Sequence, residues 1–338
     1  MKAIRINSPR HIEICEIQMP VRMDGYAIIK VKSVGVCGTD VATYRGINPN
    51  VTYPVIIGHE TAGEIYDIDP DSESGFKKGD KVILDPYMYC GHCYPCLKGR
   101  TNCCETLKCL GVQTDGSMSE FFAHPIKQLV RMPEKMSWEF APIAEPLTIA
   151  LHAIHTVNLQ SGEHYVINGA GPIGLLAAMA AKVYGGTPVI LDIDDSRLSL
   201  ARECGVEYAI NILEEDPVEK LKDITHGRMV ECIMEASGAT KAVASCLSFA
   251  ASTGRIALTG WPKDKVLMDT AMITRKELQV HGSRNSVAEF PEAIDLIASN
   301  KVDVRKILSK VVSFNELPLS IKNIDEHPGD FVKVVGLL

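Results

Sequence analysis

Four cysteines in one short segment are the residues of this 338-residue chain whose spacing points most directly to chemistry. Two residues separate Cys90 from Cys93 and two separate Cys93 from Cys96, and Cys104 follows them in a loop that contains Gly and Pro. Four thiols at this spacing can surround one tetrahedral Zn²⁺, which converts them to thiolates and closes the loop. Because a closed four-sulfur site has no open position for a substrate, we expect this zinc to be structural. Free or disulfide-bonded cysteines are the alternative.

A second group of metal-ligating residues lies on both sides of this loop. Cys37 and the pair His59-Glu60 precede it, and Glu145 follows it. A zinc ion held by Cys, His and one carboxylate keeps a position for water or an alcohol oxygen, as a catalytic site requires. The pair His59-Glu60 also begins a metalloprotease motif, but the second His of that motif is replaced by Gly63. We therefore expect a catalytic zinc at Cys37, His59 and a carboxylate, either Glu60 or Glu145.

A glycine-rich turn follows a short apolar strand and opens an Ala-rich helix. Its glycines fit the G-x-G-x-x-G pattern, which allows a tight turn and the approach of a pyrophosphate to a helix N-terminus. Asp192 ends the next predicted strand, where a carboxylate accepts hydrogen bonds from ribose hydroxyls and repels a 2′-phosphate. This favours NAD over NADP, although the nearby Arg197 could accommodate a phosphate; a plain Gly-rich turn is the alternative. The predicted cofactor-binding residues are Gly169, Gly171, Pro172, Ile173, Gly174, Asp192, Arg197 and Ser283.

The elements that must position these residues change character along the chain. Residues 1–140 contain short β-like runs separated by turn residues, whereas strands and helices alternate from about residue 146. Alternating units of this kind build a parallel sheet covered on both faces. The predicted fold class is therefore α/β, with a β-rich domain and a doubly wound parallel-sheet domain. The sequence is long enough for two hydrophobic cores.

Composition excludes several classes of partner. A net charge of −7 argues against nucleic acid or an anionic membrane as the main partner. No apolar stretch is long enough to span a bilayer, and the first residues do not resemble a secretory signal. Eleven cysteines, several of them scattered, are typical of metal ligands and buried thiols in a reducing compartment. We expect a cytoplasmic protein with a small-molecule substrate.

Taken together, these motifs resemble the zinc-containing medium-chain alcohol dehydrogenase superfamily over essentially the full chain. The matching segments are Cys37-Gly-Thr39-Asp40, Gly58-His59-Glu60-x-x-Gly63, the four cysteines and residues 169–174. The resemblance implies a GroES-like catalytic domain at 1–146 and 288–338 and a Rossmann NAD-binding domain at 147–287. It also implies two zinc ions per chain, NAD as cofactor, and a homodimer or homotetramer.

The resemblance also implies roles for individual residues. Asp40 would orient His59, and Thr39 would bind the alcohol oxygen and start the proton relay. A Glu at position 145 is similar to the polyol and threonine dehydrogenase branch of the superfamily. In that branch the residue at the position of Glu60 is often a direct zinc ligand, and the Glu at the position of Glu145 holds the zinc-bound water. Ala42 departs from the many relatives that carry a His there, so the proton must leave by another route.

The segment Gly282-Ser283-Arg284-Asn285 resembles bacterial sugar-acid dehydrogenases, which oxidise the 5-hydroxyl of hexonates such as L-galactonate, L-gulonate or L-idonate. A guanidinium can bind a carboxylate bidentately, so Arg284 is a candidate for recognising the hexonate. Arg284 could equally orient Glu145 or contact a polyol hydroxyl. Tyr44, Gln113 and Arg284 are the expected substrate-discriminating residues. The alternatives are a sorbitol or L-iditol dehydrogenase, an L-threonine 3-dehydrogenase and, from another class, a non-enzymatic metal-binding regulator or structural protein.

Overall fold

The computed structural model describes all residues, Met1–Leu338. Contacts divide the chain into two compact units. The first contains Met1–Glu145, Phe290–Ala298 and Leu308–Leu338, and the second contains Pro146–Glu289 and Ser299–Ile307. No helix has the length and apolar character needed to cross a membrane.

The first unit is built mainly from antiparallel sheets. Numbered along the chain, its strands are β1 (Lys2–Ser8), β2 (His11–Glu16), β3 (Tyr26–Val36), β4 (Val55–Ile56), β5 (Glu60–Asp67), β6 (Lys81–Leu84), β7 (Tyr87–Met88), β8 (Lys108–Cys109), β9 (Phe121–Pro125), β10 (Leu129–Arg131), β17 (Leu308–Ser313) and β18 (Lys333–Leu337). One sheet has the order β2-β1-β4. A larger sheet has the order β10-β6-β5-β3-β18-β17, with β9 also paired to β3, and β7 pairs with β8.

The C-terminal strand completes the larger sheet of this unit. β18 pairs antiparallel with β3, placing Val335 opposite Gly35, and parallel with β17. Val334 and Val335 are both buried, and Val334 packs in a core shared with β1 and β3, which explains why an apolar run near the end of the chain folds back onto the N-terminal strands.

The second unit is a six-stranded parallel sheet with the order β13-β12-β11-β14-β15-β16. The order reverses between β11 and β14, which is the arrangement of a doubly wound dinucleotide-binding fold. The strands are rich in buried Val, Ile and Leu because helices cover both faces of such a sheet. They are β11 (His164–Asn168), β12 (Thr187–Asp192), β13 (Tyr208–Asn211), β14 (Val230–Glu235), β15 (Ala250–Leu258) and β16 (Gln279–Gly282).

Helices connect these strands and cap the site-bearing loops. The α-helices are α1 (Gly38–Arg45), α2 (Tyr94–Leu97), α3 (Ala144–Thr156), α4 (Pro172–Val183), α5 (Asp195–Glu203), α6 (Pro217–Ile224), α7 (Thr240–Phe249), α8 (Thr270–Lys276), α9 (Phe290–Ala298) and α10 (Leu317–Glu326). Short 3₁₀ helices occur at Thr101–Cys103, Ile126–Gln128, Ala141–Ile143, Val304–Lys306 and Phe314–Glu316. The predicted α/β class, with one β-rich and one parallel-sheet part, is confirmed.

The contacts divide the chain at slightly different residues from the predicted boundaries. Pro146, residues 288–289 and residues 299–307 lie in the second unit, whereas the prediction placed residues 1–146 and 288–338 with the first. In residues 299–307, the longest of these stretches, Lys306 Nζ donates to the carbonyl oxygen of Glu203 at 2.7 Å and Val304 is buried.

Candidate active site and metal centres

The four cysteines of residues 90–104 converge on one point. Their Sγ atoms all lie within 4.8 Å of one another, with Cys90 and Cys96 at 4.0 Å and Cys93 and Cys104 at 3.8 Å. Zinc–sulfur bonds of about 2.3 Å in a tetrahedron require sulfur atoms about 3.8 Å apart, so these residues fit a zinc ion. Burial raises the pKa of Cys104, but the N–H of Cys90 and the Thr106 hydroxyl outweigh it and lower this pKa to about 6. All these cysteines are free thiols rather than disulfides.

Cys37, His59 and Glu60 form the second cluster, and their ligand atoms also lie within 4.8 Å of one another. Cys37 precedes α1, and its Sγ accepts the N–H of Thr39 at 3.5 Å. Glu60 is the first residue of β5 and follows His59 directly. A helix N-terminus and the start of a neighbouring strand thus bring thiol, imidazole and carboxylate together, and this soft and hard donor set suits a catalytic zinc.

Asp40 lies behind the imidazole of His59. Its Oδ2 accepts the N–H of Cys37 at 2.9 Å, while its Oδ1 is 3.9 Å from His59 Nδ1, and both residues are buried. Burial lowers the pKa of His59, but the charges of Cys37 and Asp40 outweigh this effect and raise that pKa well above its usual value. Asp40 Oδ1 and His59 Nδ1 have no hydrogen-bond partner, so each faces the other across a short gap.

Lys333 completes the surroundings of Glu60, and sequence analysis did not identify it. Its Nζ donates to Oε1 and Oε2 of Glu60 at 2.7 and 2.8 Å and to the carbonyl oxygen of Val36 at 3.2 Å. Gly35 makes room for this pair, because a Cβ there would lie 1.9 Å from Glu60 Oε2. The available signal was a single lysine within the apolar run of residues 331–337.

Glu145 is held in a different way. The hydroxyl of Tyr87 donates to Glu145 Oε1, and both residues are buried. Burial raises the pKa of Glu145, whereas the charge of His59 lowers it and that of Glu60 raises it, so Glu145 lies within electrostatic reach of the second cluster. Burial, followed by the charge of Glu145, raises the pKa of Tyr87 well above its usual value.

Cys109 is a further residue near this cluster that sequence analysis missed. It pairs with Tyr87 across β7 and β8, and burial raises the pKa of its thiol to about 12. Gln113, one of the expected substrate-discriminating residues, is exposed, and its side-chain oxygen accepts the N–H of Cys109 at 2.9 Å.

The other expected substrate residues lie in different surroundings. Tyr44 is buried in the core of the first unit, with the guanidinium of Arg10 5.9 Å from its ring centre. Arg284 is exposed after β16 in the second unit, and its guanidinium lies 5.9 Å from the centre of the Trp261 ring. Thr39 lies in the first turn of α1, and its carbonyl oxygen accepts the hydroxyl of Thr43 at 2.9 Å.

The glycine-rich turn connects β11 to α4 in the geometry that a dinucleotide requires. Gly169 has a φ of +120°, and a Cβ at Gly174 would lie 1.9 Å from the carbonyl oxygen of Gly169. A Cβ at Gly171 would meet nothing within 4 Å, so open space lies at the N-terminus of α4, where Pro172 and Ile173 form the first turn. This space and the N-terminal amides fit a pyrophosphate.

Polar groups at the carboxyl ends of the parallel strands extend this site. Asp192 Oδ2 accepts the N–H of Ala170 at 2.6 Å, which ties the end of β12 to the glycine-rich turn. Ser283 and Thr259, after β16 and β15, carry buried hydroxyl oxygens without a hydrogen-bond partner. Arg197 lies on α5 beside Asp194, whose Oδ1 accepts its N–H at 3.4 Å. The unsatisfied hydroxyls fit a polar ligand such as a nicotinamide dinucleotide.

Comparison with known proteins identifies the family. The alcohol dehydrogenase GroES-like domain family matches residues 23–134, and the zinc-binding dehydrogenase family matches residues 172–299. An uncharacterized zinc-type alcohol dehydrogenase-like protein of Haemophilus influenzae is 46% identical over 334 residues, covering 99% of this chain and 98% of that protein. The chain belongs to the zinc-containing medium-chain alcohol dehydrogenase family.

Two further relatives support the enzymatic class of this dehydrogenase. Sorbitol dehydrogenase of Bacillus subtilis is 31% identical over 341 residues, covering 99% of this chain and 96% of that protein. The crystal structure of an Escherichia coli alcohol dehydrogenase complexed with NADH has a TM-score of 0.93 and 32% identity, covering 100% of this chain and 99% of that chain. This dehydrogenase is therefore a zinc-dependent oxidoreductase with a nicotinamide cofactor and a small-molecule substrate.

Proposed function

We propose that this dehydrogenase oxidises a secondary hydroxyl of a sugar acid, the 5-hydroxyl of a hexonate such as L-galactonate or L-gulonate, with NAD⁺ as the acceptor. The observation that carries the proposal is Arg284, an exposed guanidinium directly after the last strand of the parallel sheet. Ligands of such sheets bind at the carboxyl ends of the strands, and a guanidinium there suits a carboxylate.

The residues of the first unit supply the surroundings of the reacting hydroxyl. Cys37, His59 and a carboxylate would hold zinc, which supplies a Lewis acid that acidifies a hydroxyl, while NAD⁺ accepts the hydride. The hydroxyl of Thr39 would accept the proton of the substrate hydroxyl while passing its own proton on, through the nicotinamide ribose and a water molecule, to solvent. The buried carboxylate of Asp40, 3.9 Å from Nδ1 of His59, would favour one orientation of the imidazole by its charge.

Four residues of the second unit bind the cofactor in this proposal, and one of them sets the choice between NAD⁺ and NADP⁺. Gly169, Gly171 and Gly174 admit the pyrophosphate, and Asp192 accepts hydrogen bonds from the adenosine ribose. A 2′-phosphate would meet the negative charge of Asp192, so NAD⁺ is preferred over NADP⁺. Replacing Asp192 by Asn should reduce this preference, which is measured as the ratio of kcat/KM for the two cofactors.

A polyol is the second candidate substrate, favoured by the similarity to sorbitol dehydrogenase. The discriminating experiment measures NADH formation with hexonates, matched polyols and L-threonine at equal concentration. A preference for one hexonate supports the proposal. Activity on sorbitol or L-iditol without activity on the acids would instead assign the enzyme to the polyol dehydrogenases.

Arg284→Ala tests the residue that carries the sugar-acid proposal. We expect a selective rise in KM for the hexonate, and no change for a polyol of the same length. Arg228→Ala, which also removes an exposed arginine of the second unit, serves as the control. An unchanged KM for acids in Arg284→Ala contradicts the carboxylate role.

We further propose that the enzyme is a cytoplasmic homodimer or homotetramer. The free thiols of all eleven cysteines support a reducing compartment. Light scattering on the purified zinc-loaded protein measures its mass directly, and a monomer at micromolar concentration contradicts the oligomer.

A further inference from the structure

Tyr87 links two parts of the first unit that are distant in sequence. It lies on β7, and its hydroxyl donates to Glu145 in the first turn of α3, 58 residues later. The exposed fractions are 6% for Tyr87 and 4% for Glu145, so this hydrogen bond is shielded from water. A hydrogen bond to a buried carboxylate is stronger than one between neutral groups.

The backbone of Tyr87 is held on three sides. Its N–H donates to Asp85 Oδ1 at 3.1 Å, its carbonyl oxygen accepts Gln128 Nε2 at 2.5 Å, and it pairs with Cys109 in β8. With the backbone and the buried ring both held, the hydroxyl has little freedom to move. Its position therefore limits where the carboxylate of Glu145 can lie.

The two carboxylates near the second cluster have partners of different charge. Glu60 faces the ammonium group of Lys333, which compensates its negative charge. Glu145 accepts a hydrogen bond from a phenol, a neutral donor that holds its carboxyl group in one orientation. A carboxyl group held in one orientation is suited to bind a polar group of the substrate or a water molecule.

We propose that Tyr87 is a positioning residue that aims the carboxylate of Glu145 at the site formed by Cys37, His59 and Glu60. Tyr87 acts through Glu145 and does not itself touch the substrate. This inference rests on the dehydrogenase activity and on the role of Glu145 in it, but it does not depend on which alcohol is the substrate.

The test is a double-mutant cycle on the zinc-loaded enzyme with its best substrate. Tyr87→Phe removes one oxygen atom and should lower kcat roughly 10-fold or more, with KM changed by less than about 3-fold. Tyr89→Phe, two residues along and with its ring 4.8 Å from Lys127 Nζ, is the matched control and should leave kcat within about 2-fold. Because Tyr87 acts through Glu145, the variant Y87F/E145Q should be no slower than E145Q.

An additive double variant overturns the proposal, because a merely structural tyrosine would lower kcat further in the E145Q background. The same is true if Tyr87→Phe is as active as Tyr89→Phe. If Tyr87→Phe is poorly folded, the single variant Glu145→Asp, which withdraws the carboxylate from the Tyr87 hydroxyl by one methylene group, should lower kcat to a similar extent with KM little changed. A kcat equal to that of the wild type then overturns the proposal.

A second readout needs no turnover. The visible absorption of the Co²⁺-substituted protein, with Cys37→Ser subtracted to isolate the second cluster, should change in Tyr87→Phe and not in Tyr89→Phe. The spectrum of Y87F/E145Q should match that of E145Q. If the wild type oxidises no alcohol, the proposed function fails while this spectrum still decides the role of Tyr87; an unchanged spectrum overturns the inference.

Discussion

Lys333 donates from its ammonium group to both carboxylate oxygens of Glu60, at 2.7 and 2.8 Å, and the exposed side-chain fractions are 2% and 1%. The pair joins the last strand of the chain, β18, to the first residue of β5. Burial lowers the pKa of Lys333, but the charges of Glu60 and Cys37 outweigh it and raise this pKa above its usual value. A candidate metal ligand is therefore paired with a charged lysine, which fixes the direction of its carboxylate.

Lys333→Met should destabilise the first unit strongly. It leaves the buried carboxylate of Glu60 without its cation, a loss of about 3–5 kcal/mol for a buried ion pair. Thermal unfolding of the zinc-loaded protein measures the effect. Lys333→Arg keeps the charge and should recover most of the loss, whereas equal melting temperatures for Lys333→Met and the wild type would contradict the importance of the pair.

Substitution of two neighbouring cysteines, one inside the four-cysteine site and one outside it, tests the assignment of this site to zinc. Cys104→Ser should release one zinc ion per chain and lower the melting temperature, because Cys104 is a buried member of the cluster. Cys103→Ser is the matched control, since Cys103 is exposed and outside the cluster. Metal analysis of both variants decides the assignment, and loss of zinc from Cys103→Ser alone would reverse it.

The buried His124 should lower the free energy of unfolding of the protein in acid. Burial lowers the pKa of His124 from 6.5 to about 4 in the folded protein. Between these values the unfolded chain binds a proton that the folded chain does not, so the free energy of unfolding falls as the pH falls. The full effect is about 3 kcal/mol, complete near pH 4 and absent above about pH 7.

Urea denaturation of His124→Leu and the wild type at several pH values measures this contribution. The variant should show a smaller decrease in stability from pH 7 to 4, while loss of zinc affects both proteins alike. The exposed His327→Gln should follow the wild type. Parallel curves for His124→Leu and the wild type would contradict the prediction.

The glycines of residues 169–174 should respond differently to alanine. Gly174→Ala places a Cβ 1.9 Å from the carbonyl oxygen of Gly169, so the turn must shift and the protein should lose both stability and NADH binding. Gly171→Ala meets nothing within 4 Å, so the protein should melt normally but bind NADH at least about 10-fold more weakly, because the methyl group occupies the space for the pyrophosphate. NADH fluorescence titration measures both, and normal binding by Gly171→Ala would place the phosphates elsewhere.

The sequence by itself determined the four-cysteine site and the dinucleotide turn as candidates because their residues are close neighbours in the chain. The four cysteines occupy residues 90–104 and the glycines occupy residues 169–174, whereas Cys37 of the second metal site is distant from the adjacent pair His59-Glu60 and was predicted from its residue type. At such short separations, backbone geometry limits how far apart the ligand atoms can lie. The alternation of strands and helices likewise predicted the parallel sheet, since short connections restrict its topology.

Only the tertiary structure decided which partners hold the two carboxylates. Lys333 and Glu60 are 273 residues apart, and Tyr87 and Glu145 are 58 apart, so no local spacing links them. The structure also shows that Tyr44, one of the expected substrate-discriminating residues, packs in the core of the first unit, because a side chain's direction depends on the elements that fold over it. Lys333 reaches Glu60 because β18 and β5 both pair with β3, and this pairing depends on the packing of the whole unit rather than on residues adjacent in the chain.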